Sequence, residues 1–193
     1  MAGPYDARAM GNPLRDRRDP QNLAANAQVI EINEQLGDFD GLAEIVAADL
    51  DALDEALRPQ QWRERDVTGE LRFGYGTAQA GLPLLSGTVE VCIDAVCQRC
   101  LKSMRFPLRA ELELALAAPQ ADIGEAGDLE VWELDSELIR PIEIVQEALI
   151  MALPLVAMHS KDGHCDNGEP EFDERNETTR PFADLRQRMA NKK

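Results

Sequence analysis

Cys97-Gln98-Arg99-Cys100 places two thiols at a spacing that metal and redox chemistry both use. Such a pair closes on one metal ion, forms a short disulfide, or packs as two reduced thiols. The other Cys/His cluster lies downstream, at His159, His164 and Cys165. Cys97, Cys100, Cys165 and His159, with His164 as the alternative imidazole, would make a closed Cys3His zinc site. No coordination position would be left for a substrate water, so its role would be structural. Reduced, packed thiols are the competing reading, and spacing alone does not choose between them. A thioredoxin-like site needs its CxxC at a helix N-terminus, where backbone amides favour the thiolate. Here strand-like sequence flanks the pair on both sides, which disfavours a thiol oxidoreductase or redox sensor and leaves it as the alternative function. The chain holds no Gly-rich phosphate loop, GxSxG or HExxH. Glu143 and Glu147 stand one helical turn apart and are explained by solvation. Neither catalytic residues nor a small-molecule substrate are expected.

The elements that must position the thiols are legible from periodicity. Leu71, Phe73 and Tyr75 alternate with polar positions, as in a half-buried strand. Val89, Val91, Ile93 and Ala95 do the same and put Cys92 on the opposite face. Beyond the CxxC, Met104, Phe106, Leu108, Ala110, Leu112, Leu114 and Leu116 occupy every even position, which no helix would do. Pro107 lacks an amide donor and needs an edge, a strand start or a bulge. The CxxC is therefore expected at the tip of a long antiparallel hairpin. Short strands are expected near Val29–Ile32 and Leu129–Trp132. Helical spacing of Leu42, Ile45, Val46, Leu50, Leu53 and Leu57 predicts a helix over 41–57. Pro141 in a first turn, with Ile142, Val145, Leu149 and Ala152 in one stripe, predicts another over 141–153. The expected fold is α+β, an antiparallel sheet from about residue 67 to 134 packed against these two helices. Flanking it are a mobile leader over 1–27, an acidic linker over 161–179 and a basic docking segment over 180–193, the domain itself spanning 28–160.

The formal net charge is −16, and aromatics are only 5% of the chain, so Leu, Val, Ile and Ala must fill the core. A strongly negative surface field opposes phosphate backbones, so contact with nucleic acid would need a local basic patch. Two are available: the C-terminal segment, Arg180 to Lys193, where Phe182, Leu185 and Met189 share a helical face beside Arg186 and Arg188, is the expected direct contact with RNA or a partner, and Arg99, Lys102, Arg105 and Arg109 around the CxxC are its rival. That segment either docks on a partner or packs back on its own domain. The acidic outer face of the first helix, from Glu44 to Glu55, reads as solvated surface, with docking to a basic protein the alternative. No signal-length apolar run opens the chain, and Ala148–Met158 is too short for a bilayer and contains Pro154. A cytoplasmic protein with no membrane association is expected.

Val96-Cys-Gln-Arg-Cys100, the long strand after it, and Glu147-Ala-Leu-Ile-Met-Ala-Leu-Pro-Leu-Val-Ala-Met-His159 followed by Cys165 together resemble the YceD family, the large ribosomal RNA subunit accumulation proteins. Pro181-Phe-Ala-Asp-Leu185 resembles the family's proteobacterial C-terminal signature. The likeness covers roughly residues 65 to 190 and is far more specific than a lone CxxC. It implies a non-enzymatic role in synthesis, processing or stability of 23S ribosomal RNA, with the pre-50S particle, 23S rRNA or basic ribosomal and assembly proteins as partners. Relatives from other bacterial groups carry extra cysteines after the helix, resembling a zinc ribbon. In this chain that region has only His159, His164 and Cys165.

Overall fold

The computed structural model describes residues 12–76, 81–119 and 130–159. In chain order the elements are α1 (Pro20–Ala25), β1 (Val29–Gln35), α2 (Asp40–Leu50), β2 (Asp66–Tyr75), β3 (Pro83–Val96), β4 (Ser103–Ala117), β5 (Glu130–Glu133) and α3 (Pro141–Met151). The strands form one five-stranded sheet in sequence order, β1-β2-β3-β4-β5. The long β3–β4 hairpin pairs Leu84 with Ala115 at its base and Val96 with Ser103 at its tip. Its alternating residues bury Val89, Val91, Leu108, Ala110 and Leu112 on one face and leave Glu90, Cys92, Arg109 and Glu111 exposed on the other. Pro107 sits opposite Cys92 on a stretch of β4 that β5, paired only with Leu114–Ala117, does not reach. Its missing amide therefore falls on an open edge.

The α+β architecture follows the alternation, with three corrections. The sheet is mixed rather than antiparallel, because β5 pairs parallel to β4. A parallel neighbour requires a crossover of about a dozen residues, which the connection from Ala117 to Glu130 is long enough to supply. A strand as short as β5 carries no sign of its direction in sequence.

The first helix stops at Leu50, not at residue 57. Arg58 folds back on its end, donating from Nε to the Leu53 carbonyl (3.0 Å) and from its terminal nitrogens to the carbonyl and carboxylate of Asp51. A guanidinium thus serves carbonyls that a longer helix would have bonded internally. Leu53 is still buried by the ensuing turn, but Leu57 is 65% exposed. Ile45, assigned to the buried stripe, is 42% exposed.

From residue 12 onward the expected leader is built into the fold. Leu14 is buried, and its carbonyl accepts from the Ile142 amide at the start of α3. Arg18 and Ile139 exchange backbone hydrogen bonds, both of 2.8 Å. Asp19 caps α1, with Pro20 at its first position. The Leu14 and Arg18 anchors are long-range contacts with no periodic signature.

The covered face of the sheet carries α2 over β3 and α3 over β4, and the helices are tied to each other by Gly41 N–H donating to Gln146 Oε1 at 2.9 Å. The core runs through Phe39, Leu42, Leu71, Leu85, Val89 and Leu149. β2 and β3 approach unusually closely: a Cβ at Gly69 would lie 2.2 Å from the Thr88 carbonyl oxygen, and one at Gly87 would lie 2.3 Å from that of Glu70. Only glycine fits at either position.

Candidate metal centre at the hairpin tip

The site begins as a backbone turn. Cys97 N–H donates to the Lys102 carbonyl (3.0 Å), continuing the hairpin ladder by one step, while Leu101 N–H donates back to the Cys97 carbonyl (2.8 Å). Closing the turn puts Leu101 at φ = 57°, a left-handed conformation that costs a non-glycine residue about 1–2 kcal/mol. Such a conformation persists only where neighbouring contacts impose it. Its effect is to curl residues 97–100 so that both cysteines are on one side.

The base of the turn is anchored from two directions. The Val96 amide donates to Asp49 Oδ2 on α2 (2.7 Å), and Asp94, 6% exposed at its side chain, pairs with Arg65 at 3.0 Å. Both carboxylates were hidden among the acidic residues that composition assigns to solvation.

The third group comes from beyond α3. Pro154 follows the end of α3, and the continuing chain runs past the tip, where the Gln98 amide donates to the Ala157 carbonyl at 2.9 Å. Two residues further on, His159 Nδ1 lies 3.6 Å from Cys100 Sγ. The ligand atoms of Cys97, Cys100 and His159 all lie within 4.8 Å of one another. Zinc–sulfur and zinc–nitrogen bond lengths in a tetrahedron give an S···N edge of about 3.5 Å. The thiol–imidazole spacing matches that edge.

Cys97 is fully buried, and burial by itself would push its thiol up. The backbone N–H groups of His159, Cys100 and Arg99, together with the His159 side chain, outweigh burial and pull the pKa down to about 5. A thiolate held by backbone amides is the form that a metal requires. The same depression would suit a nucleophile, but a buried sulfur in a hairpin turn has neither the access nor the helix N-terminus of a dithiol enzyme. Cys92, by contrast, is exposed on the open face of the sheet, away from the cluster.

Of the expected ligands, then, the fold brings Cys97, Cys100 and His159 together. His164 and Cys165 lie outside the described residues, as do Phe182, Leu185, Arg186 and Arg188. Arg99, Lys102 and Arg105 are exposed at or beside the tip. Lys102 and Arg105 form no ion pair with another described residue. Arg109 differs from them: Glu90 and Glu111 hold it at 2.9 and 3.0 Å, so its charge is locally balanced.

Comparison with known proteins bears on the same part of the chain. Residues 85–187, just over half of it and including all but the first two residues of the β3–β4 hairpin, match the family model described as large ribosomal RNA subunit accumulation protein YceD. A Haemophilus influenzae protein of that name is 33% identical over 96 residues, an alignment covering 44% of this chain and 49% of the relative. The match thus spans about half the length of that relative. No solved structure matches.

Proposed function

The chain belongs to the YceD family of large ribosomal RNA subunit accumulation proteins, and on that premise we propose that it is a non-enzymatic factor in the synthesis, processing or stability of 23S ribosomal RNA. It acts on large-subunit precursors, meeting rRNA or an rRNA-bound protein through the tip of the β3–β4 hairpin. The observation that carries this reading is the grouping of Arg99, Lys102 and Arg105 on the exposed end of an otherwise acidic protein. With a net charge of −16 the long-range field repels phosphate, but that field is screened within about 8 Å at physiological ionic strength. Cations exposed at the tip can therefore reach a phosphate or an acidic patch at short range.

In this reading Cys97, Cys100 and His159 hold zinc, with Cys165 or His164 as the fourth ligand. These residues would hold the ion so that it ties the hairpin tip to the chain after α3, a structural role with no reaction on it. A binding surface on a turn needs such a staple, because the turn has little core of its own.

No helix among the described residues is long and apolar enough to cross a membrane.

The test is co-sedimentation of the intact protein with large-subunit precursors. Replacing Lys102 and Arg105 together by Glu should sharply weaken it and lower 23S rRNA accumulation, with thermal stability unchanged. Wild-type sedimentation of that variant would reject the tip as the contact surface.

A further inference from the structure

A second surface adjoins the tip on the side of Gln98 and Ala157. Ile45 and Val46 of α2, Ile93 and Ala95 of β3, and Leu153 and Leu155 after α3 line an apolar groove of about 170 Å³. Its rim is unusually wet for its chemistry: Leu155 is fully exposed and Ile45 is 42% exposed. Covering such side chains is favourable in proportion to the apolar area removed from water. The surroundings are acidic. Glu44 is exposed beside Ile45, Asp49 lines the groove, and α3 has no basic residue in its last turn, so its negative dipole end has no cation of its own.

The chain itself contains a segment of the opposite character. Residues 180–193 carry five Lys and Arg against one Asp, with Phe182, Leu185 and Met189 at i, i+3 and i+7. Laid out as a helix, that spacing gives one apolar stripe among cations. The described chain stops at His159, two residues past the groove-lining Ala157. The number of residues between His159 and Phe182 allows a reach of at most about 75 Å. A tether of that length presents the segment to the groove at an effective concentration in the millimolar range.

We infer that the basic C-terminal segment docks in cis onto this groove, the Phe182 ring entering it, Leu185 and Met189 covering Ile45 and Leu155, and the arginines facing Glu44 and Asp49. The size fits, since an apolar cavity of about 150 Å³ accepts a benzene ring. The charge fits as well, and it makes the docking salt-sensitive. This goes beyond the proposed role of the hairpin tip and does not depend on it.

Hydrogen exchange on the full-length chain tests it. In Phe182→Ala/Leu185→Ala, amides over 43–50 and 153–158 should exchange about tenfold faster than in the wild type, while those of β2 and of β4 over 108–116 stay unchanged and report an intact fold. Raising NaCl to a molar level should move the wild type toward the variant. The surface substitution Ile45→Lys should, reciprocally, speed exchange over 181–190. Identical exchange over 43–50 and 153–158 in wild type and variant would overturn the inference. So would protection that grows with protein concentration, which would mean that a second copy supplies the segment.

Discussion

The amide of Gln98 donates to the carbonyl of Ala157 across 2.9 Å, joining the middle of the CxxC turn to the chain that leaves α3. That single backbone bond aligns residues far apart in sequence so that the imidazole two positions later meets the thiol two positions later. The tip, its candidate ligands and the exit from the last helix are therefore one structural unit, and disturbing any of them should be felt by the others.

Native mass spectrometry of protein purified without added metal should find one zinc per chain, lost on replacing Cys97 and Cys100 by Ser. If metal is held at about a hundredfold over its dissociation constant, its removal costs roughly 2.7 kcal/mol. For a chain of this size that lowers Tm by about 5–10 °C. His159→Ala should weaken zinc and also loosen the Gln98–Ala157 contact, seen as faster exchange of the Gln98 amide. Comparing Cys165→Ser with His164→Ala identifies the fourth ligand by which of them releases the metal. A metal-free chain of full stability would leave packed thiols as the correct account.

The close approach of β2 and β3 makes their glycines intolerant. Gly69→Ala and Gly87→Ala should each destabilise the protein by about 3 kcal/mol, as overpacking against rigid backbone does. Urea denaturation reads this directly. Gly74, whose added Cβ would meet nothing within 4 Å, is the control and should tolerate Ala.

Asp94 and Arg65 form a partly buried pair near the hairpin tip. Removing one partner strands the other, so Asp94→Ala should cost about 2–3 kcal/mol, somewhat under the loss for a fully buried pair because Arg65 retains some water. The double variant with Arg65→Ala should cost little more than Asp94→Ala alone. Additive losses in that cycle would show that the pair does not act as a unit.

Asp38 gives a pH signature. The Arg15 guanidinium at 2.8 Å, and then the Gln35 amide at 3.0 Å, hold its carboxyl below the ordinary value of 3.8. A depressed folded pKa adds stability above the unfolded value and loses it as pH falls through the folded one. Wild type should therefore exceed Asp38→Asn by a constant margin above about pH 5, and the margin should shrink below about pH 4. Equilibrium unfolding at pH 7, 5 and 3 checks this, and a margin independent of pH would remove Arg15–Asp38 as its source.

Strict alternation over 104–116 admits only a strand, and the alternation over 88–96 before it makes the CxxC a hairpin tip. The stripe from Ile142 to Ala152 likewise predicts α3, because buried helices and half-buried strands write their contacts at fixed periods. Leu57 and Ile45 show the limit of that code: both continue the apolar spacing of α2, yet Arg58 ends the helix first and Ile45 is left at a groove rim. Leu14 shows it from the other side, since a residue without periodic neighbours can still be buried when a distant amide, that of Ile142, fixes it.

The residue types, their periods and the Cys97–Cys100 spacing were determined by the sequence alone. Which histidine joins the thiols, that Glu90 and Glu111 hold Arg109 and which way β5 runs were decided by the tertiary structure. The physical reason is that local propensity acts within a few residues, whereas ligand geometry and charge pairing depend on distances between segments separated by tens of residues. Cys97 and His159 meet only because β3, β4 and α3 share a core.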